Sequence, residues 1–439
     1  MVMTEFQQRR ASFFTKMQNN SVAIFPAAEE KIRSKDTEYP FRQNSDFYYL
    51  TGFNEPDAYL LIINKNGEQQ TVLFNRKKDK NAEIWHGLRI GQSAAVSKLG
   101  FDLAYDVLEF EERLQEFIGN FSVLYYPVFN APKLEGRLSS VINLMRADRS
   151  KGQAAPTQFI DNLSILHEMR LIKSENEMAL MSDAAEISAA GHIRAMQVCH
   201  PGMWEYQLEA EIRYDFARQG APNVAYNSIV AGGHNACILH YTDNNQQLHD
   251  GDLVLIDAGA EYKGYAGDIT RTFPVNGVFS EHQAKLYQLV LDIQVSAINQ
   301  VKPGVALADI NKSAVKKLVD GLLEFGILEG DSEQLIKDQV HKEFYMHGLG
   351  HYLGLDVHDV GLYGTAESPR LLEAGMVITI EPGLYISENA NVDDVWKGIG
   401  IRIEDDVLVT QSGAEVLSAD VPKSINEIEA LMANVTVYG

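Results

Sequence analysis

The stretch LVLIDAGAEYKGYAGDITRTF, Leu253 to Phe273, joins a short apolar run to two aspartates, Asp257 and Asp268. Leu253, Val254, Leu255 and Ile256 read as a buried strand, and a carboxylate at the end of such a strand leaves a charge that something must offset. A reversal near Tyr262 and Lys263, relaxed by Gly264, would set Asp257 and Asp268 opposite each other on neighbouring strands. Like charges so placed destabilise the pair. A bound cation would turn that repulsion into a site.

The same plan recurs downstream. Gly251-Asp-Leu-Val-Leu-Ile-Asp257-Ala-Gly259 is matched by Gly375-Met-Val-Ile-Thr-Ile-Glu381-Pro-Gly383, each with a carboxylate six residues after one glycine and two before the next. Lys263-Gly264 precedes Asp268 as Lys397-Gly398 precedes Glu404, with a longer excursion between the strands of the second half. Helices lead into both hairpins. Ser174 with Glu177 and Ser280 with Gln283 fit capping boxes, and Pro201-Gly202 and Pro303-Gly304 stop the helices that follow. Two copies of one helix-helix-hairpin unit about a pseudo-twofold axis are therefore expected, with four carboxylates converging from both halves.

Asp257, Asp268, Glu381 and Glu404 in one pocket would repel strongly unless two divalent ions balanced them. One neutral imidazole from Met346-His347-Gly348-Leu349-Gly350-His351 would complete the shell. An oxygen-rich shell with one nitrogen suits Mn2+ best by ligand hardness, with Fe2+, Co2+ and Zn2+ as the other options.

Upstream, a helix is expected from Thr4 to about Met17. Strands at Tyr59 to Ile63 and Gln70 to Phe74 flank Asn66-Gly67, a strong hairpin signal. A helix over Glu109 to Ile118, a strand over Ser122 to Tyr126 and a polar basic stretch from Arg146 to Gln153 complete a mixed α/β segment.

The 439 residues suffice for more than one domain, and 45% hydrophobic with 22% charged residues is ordinary for a globular chain. A formal net charge of -22 without clustered Lys and Arg excludes nucleic acid and anionic membranes as expected partners. No run of about 18 apolar residues suggests a membrane span. The start, MVMTEFQQRR, lacks the apolar core of a signal peptide, and Cys199 and Cys237 read as free thiols, so a cytoplasmic location is expected.

The carboxylate set, together with His347-Gly-Leu-Gly-His351-Tyr-Leu-Gly-Leu-Asp-Val-His358-Asp359 and Gly400-Ile-Arg402-Ile-Glu404-Asp405-Asp406, resembles the metal signature of the metallopeptidase family that includes methionine aminopeptidase, prolidase and aminopeptidase P. Tyr39-Pro-Phe-Arg-Gln43-Asn44-Ser45-Asp46-Phe-Tyr-Tyr-Leu50-Thr51-Gly52-Phe53 resembles the amino-terminal domain of the aminopeptidase P branch, which methionine aminopeptidase lacks. The resemblance implies an α/β (α+β) chain: a mixed α/β domain over residues 1–172, then a pita-bread catalytic domain over 173–439 with the internal pseudo-twofold repeat. It also implies an aminopeptidase acting on peptides with proline second, with a prolidase-type Xaa-Pro dipeptidase as the alternative, and a homo-oligomer, dimer or tetramer.

By the same resemblance, the ligands are Asp257, Asp268, His351, Glu381 and Glu404. Asp257 would bind one ion, His351 and Glu381 the other, and Asp268 and Glu404 would bridge, supplying a hydroxide for attack on the peptide carbonyl. Glu381 would shuttle the proton, and His240 and His358 would hold substrate and stabilise the oxyanion. His347 is expected to line the pocket for the residue after the scissile bond. Arg402 is expected to orient Glu404 or meet substrate. Trp85 reads as buried, with a place on the site rim as the other option.

Overall fold

The computed structural model describes residues 3–147 and 152–434, so residues 148–151 of the polar basic stretch lie outside the described residues. The chain forms two compact units, Met1–Met169 and Arg170–Gly439.

In the first unit, helix α1 (Glu5–Thr15) starts at Thr4, whose side chain accepts from the Gln7 amide while Gln7 returns a bond to the Thr4 amide. Strand β1 (Ser21–Pro26) follows, then helix α2 (Ser45–Thr51), which Gly52 ends in the left-handed conformation. Strands β2 (Tyr59–Lys65) and β3 (Glu68–Asn75) form the expected hairpin, with positive φ at both Asn66 and Gly67. Strand β4 (Leu103–Asp106), helix α3 (Phe110–Ile118), strand β5 (Val123–Tyr126), helix α4 (Pro132–Ala147) and strand β6 (Gln158–Asp161) complete the layer. The six strands lie in the order β4-β3-β2-β1-β5-β6. Phe110, Leu114, Phe117 and Ile118 of α3 repeat at helical spacing and pack on Val72 and Phe74. Such side chains contribute about 1.5–3 kcal/mol each when buried.

The second unit carries the repeat. Helices α5 (Glu175–Val198) and α6 (Glu205–Arg218) precede strands β7 (Ile229–Gly232), β8 (Leu253–Asp257), β9 (Ala260–Tyr262), β10 (Tyr265–Ala266) and β11 (Thr270–Pro274). Helices α7 (Glu281–Ile298) and α8 (Leu307–Glu324) precede β12 (Val377–Ile380), β13 (Gly383–Ile386), β14 (Ile399–Arg402) and β15 (Asp405–Val409). Both expected capping boxes are formed, at Ser174 and Ser280, and such a cap is worth about 1 kcal/mol. Leu286, Val290 and Ile293 bury one stripe of α7.

The turn of the first hairpin is Lys263-Gly264, both at positive φ between the paired Tyr262 and Tyr265. Its register corrects one expectation. Asp257 pairs with Thr270, and Glu261 with Ala266, so Asp257 and Asp268 are diagonal neighbours on one face and not directly opposite. Here the hairpin is pinched: a Cβ on Gly259 would sit 1.7 Å from the Gly267 carbonyl oxygen. In the second half Ile380 pairs with Asp405 and Gly383 with Arg402, which sets Glu381 level with Glu404.

The return strands therefore differ in a way that spacing concealed. Within the register, the counterpart of Glu404 is Thr270, and an antiparallel bridge joins those two residues across the halves. The first half places its second carboxylate two positions earlier, at Asp268. The two hairpins meet along β11 and β14, where Thr272 and Arg402 also exchange bonds: the Thr272 hydroxyl donates to the Arg402 carbonyl at 3.0 Å and accepts from its amide at 3.2 Å.

Candidate metal centre

Asp257 ends β8, Asp268 and Glu404 lie just before β11 and β15, and Glu381 follows β12, so each carboxylate stands where a strand breaks its ladder. Such breaks free a side chain from strand alternation while its neighbours keep the backbone fixed. The fifth residue, His351, comes from a segment laid along β12: Thr379 donates its amide to the His351 carbonyl and Glu381 to that of Leu349, both at 2.8 Å.

Asp268, His351 and Glu404 form the tightest group, with donor atoms all within 4.8 Å of one another. His351 Nε2 is 3.4 Å from Asp268 Oδ2 and 3.6 Å from Glu381 Oε1. Its Nδ1 lies 3.0 Å from the Tyr352 carbonyl, which fixes the proton there in the neutral ring and turns Nε2 to the carboxylates. Asp257 and Glu381 flank this group without belonging to it at that distance.

Charge dominates the pocket. Burial, with Asp268 and Asp257 nearby, pushes the Glu381 carboxyl up to about 7 against the pull of His351 and Arg402. Burial and the charges of Asp268, Glu381 and Asp257 raise Glu404 well above the carboxylate range. Burial alone would lower His351, but the hydrogen bond and charge of Asp268 outweigh it and raise the ring to about 9. Four carboxylates gathered in one place, two of them buried and two partly so, with one imidazole nitrogen turned toward them, are a donor set that suits divalent cations. The residues present fit such ions.

Arg402, expected to orient Glu404 or meet substrate, is the one guanidinium among these groups, and it touches Glu404 only at second hand. It donates from Nη2 to Asp257 Oδ2 at 2.6 Å, from Nη1 to the Tyr385 hydroxyl at 2.9 Å and from Nε to Thr270 Oγ1 at 3.2 Å. Thr270 Oγ1 donates in turn to Glu404 Oε2 at 2.7 Å, so Arg402 reaches Glu404 through a hydroxyl. His347 is held by the same network: Nδ1 is 2.8 Å from the Gly348 carbonyl and Nε2 2.8 Å from the Tyr385 hydroxyl. Burial, aided by Arg402, lowers its pKa to about 4, so the ring is neutral.

His358 packs edge-on against His351, ring centroids 4.3 Å apart, and stays exposed. Burial of part of the ring and the neighbouring His351 lower its pKa. His240 is also exposed, and it lies near enough for its charge to bear on both His347 and His358. Trp85 is 83% exposed, against the expectation of burial. Its helix, Lys80–His86, buries no residue at all. Both cysteines are free.

Several contributors carry no sequence signal. The Tyr226 hydroxyl lies 2.5 Å from Asp257 Oδ1 and 2.6 Å from Asp268 Oδ1, donating to one at a time and keeping the two acids together. Burial and the two aspartates push its pKa far up, so it is a donor at any ordinary pH. Arg271 and Asp405 lie directly behind Glu404 as a fully buried ion pair at 2.7 Å.

Residues 179–411 match the model of metallopeptidase family M24, and residues 6–125 that of the aminopeptidase P N-terminal domain. The chain is 49% identical to an Xaa-Pro aminopeptidase of Escherichia coli (strain K12) over 98% of its own length and 97% of the relative's. It is 47% identical to an Xaa-Pro aminopeptidase of Haemophilus influenzae, again over 98% and 97%. Among solved structures it resembles proline aminopeptidase P II from Yersinia pestis, with a TM-score of 0.97, 50% identity and coverage of 99% and 100%. A Zn-substituted E. coli aminopeptidase P in complex with product gives a TM-score of 0.96 at 48% identity, covering 99% of each chain. With its family model spanning more than half of the chain, and relatives of one kind matching it from end to end, the chain belongs to metallopeptidase family M24 and carries the aminopeptidase P N-terminal domain ahead of the catalytic one.

Proposed function

We propose that Asp257, Asp268, His351, Glu381 and Glu404 hold two divalent ions, Mn2+ by the hardness of the donors, and that this centre releases the amino-terminal residue from peptides with proline second. The enzyme is a metalloaminopeptidase, and the observation that carries the assignment is the cluster of Asp268, His351 and Glu404, flanked by Glu381 and Asp257, where burial and neighbouring charge raise both glutamates. Similarity to Xaa-Pro aminopeptidases along nearly the whole chain, the N-terminal domain included, supports this reading over a dipeptidase.

When bound, divalent ions of this kind lower the pKa of a water and polarise a carbonyl oxygen. The protein supplies the rest. Glu381, with an oxygen 3.6 Å from His351 Nε2, takes a proton at its carboxylate from the water that attacks the peptide carbonyl and returns it to the leaving nitrogen of the proline. His240 and His358, exposed on the pocket wall, hold the substrate and donate to the carbonyl oxygen as charge builds on it. The neutral His347 lines the pocket for the residue after the scissile bond. Arg402 locks Asp257 and, through Thr270, Glu404.

The two unpaired cysteines favour a reducing compartment, and we place the enzyme in the cytoplasm as a homo-oligomer. Among the described residues no helix is long and apolar enough to cross a membrane. The test is incubation of Mn2+-loaded protein with an Xaa-Pro-Xaa tripeptide, an Xaa-Ala-Xaa tripeptide and an Xaa-Pro dipeptide. Release of the first residue from the proline tripeptide alone is expected. Preference for the dipeptide would instead establish the dipeptidase reading, and no release with any of several divalent ions would refute both.

A further inference from the structure

Helix α5 runs behind the pinched neck of the first hairpin, between Asp257 and Ala260 on one strand and Ala266 and Thr270 on the other. The ladder there is half kept: the Ala258 amide donates to the Ile269 carbonyl at 3.1 Å and the Gly267 amide to the Ala260 carbonyl at 2.9 Å, while the Ala258 carbonyl and the Ala260 amide turn to the helix. Two of its side chains, Ser188 and His192, are one helical turn apart and so share a face. Both are fully buried, and both bond the neck's backbone. The Ser188 hydroxyl accepts from the Ala260 amide at 2.9 Å and donates to the Ala184 carbonyl at 2.7 Å. His192 Nε2 lies 2.9 Å from the Ala258 carbonyl. A carbonyl only accepts, so this nitrogen carries the ring proton, and Nδ1 is left without a partner among the described residues.

We propose that His192 is a positioning residue for the metal centre: its Nε2–H, with the Ser188 hydroxyl, replaces ladder bonds at the neck and so fixes the backbone from which Asp257 and Asp268 project.

Three observations converge on this assignment. The bracketed groups belong to Ala258 and Ala260, which follow Asp257 and flank Gly259, the residue level with Asp268 in the register. The neck presses on the helix closely enough that a Cβ on Gly267 would meet Ser188 Oγ at 2.5 Å and the Ala184 carbonyl oxygen at 2.9 Å. The two aspartates repel each other, so any slack in the neck lets them part. Burial keeps the ring uncharged, with a pKa of about 4, so His192 serves as a neutral donor. A buried hydrogen bond one residue from a ligand acts as the outer partners of metal sites do, and losing such a partner costs about 10–100-fold in metal affinity.

The proposal rests on the ligand reading above, and its test separates the two. Mn2+ is titrated calorimetrically into metal-free wild type, His192→Leu, His192→Gln and Ser188→Ala, with urea unfolding of each metal-free protein measured alongside. Glutamine carries an amide N–H as many bonds from its Cα as Nε2 is in histidine; leucine carries none. His192→Leu should weaken Mn2+ binding about 10–100-fold, and His192→Gln should recover it to within about threefold. At saturating Mn2+ the kcat of His192→Leu on a proline tripeptide should stay within about threefold of wild type, because the residue touches no substrate. If His192→Leu does not fold, Ser188→Ala carries the test and should weaken binding about tenfold. Wild-type affinity in the folded leucine variant, or equal loss with glutamine and leucine, would overturn the proposal, since packing alone would then explain the ring. Failure of the wild type itself to bind Mn2+ would instead refute the ligand reading from which the proposal starts.

Discussion

Replacing Asp405 with asparagine removes one charge from the buried pair that backs the metal centre. Arg271 and Asp405 are both fully buried. The guanidinium donates to the carbonyls of Thr270, Glu404, Val421 and Pro422 as well as to Asp405, so every bond but one goes to a neutral acceptor. Asp405 also accepts from Gln294 at 2.6 Å, Ser418 at 2.8 Å and Lys423. Four donors thus converge on one carboxylate. An asparagine amide would turn an N–H toward one of them and leave Arg271 buried without a counter-charge. Breaking such a pair costs about 3–5 kcal/mol, a large part of the roughly 5–15 kcal/mol that holds a domain together.

The sign with pH follows from the shift. Burial works to raise the Asp405 carboxyl, but Arg271 and Lys423 outweigh it and hold it well below the ordinary range. A depressed carboxyl contributes stability that is fully present above its unfolded pKa of about 3.9 and is lost as pH falls toward the folded value. Urea unfolding of wild type and Asp405→Asn, followed by tryptophan fluorescence, should therefore show a gap of about 3–5 kcal/mol at neutral pH that narrows below about pH 4. A gap under about 1 kcal/mol, or one that does not change with pH, would refute the reasoning, because the pair would then behave as an exposed one.

Two further outcomes follow from the site. Glu381→Ala and Asp268→Ala should each abolish peptidase activity while leaving the circular dichroism spectrum of wild type, and near-normal turnover in either would count against their roles. Tyr226→Phe removes the hydroxyl shared by Asp257 and Asp268, and a hydrogen bond to a charged group is worth about 1.5–3 kcal/mol. Metal affinity in that variant should fall by about 10–100-fold in a competition assay with a chelating dye.

What the sequence disclosed, and what it withheld, follows from how local each feature is. The Lys263-Gly264 and Asn66-Gly67 turns and the Ser174 and Ser280 caps are set by residues adjacent in the chain, and each formed where its residues imply. Asp257 and Glu381 stood out because glycines at fixed spacing anchor both strands. The diagonal offset of Asp268 did not, because register depends on how tightly Gly259 and Gly267 let the strands pinch. Tyr226 touches Asp257, 31 residues away, with no periodicity to announce it. Arg271 and Asp405 carry no pattern that announces a buried pair, and the bond from Arg402 to Asp257, 145 residues away, is equally silent, because each charge finds its partner on a distant strand. Trp85 erred the other way: a large ring suggests burial, but a helix of 7 residues with no buried face leaves it in solvent.

The most direct test is metal stoichiometry measured against turnover on one preparation. The purified chain is stripped with chelator, shown to have lost activity on an Xaa-Pro-Xaa tripeptide, and titrated with Mn2+ while bound metal and released amino acid are both counted. Two equivalents per chain with activity restored is the expected result. Turnover that survives complete removal of metal, or a chain that binds no divalent ion with wild-type His351 and the four carboxylates in place, would contradict it.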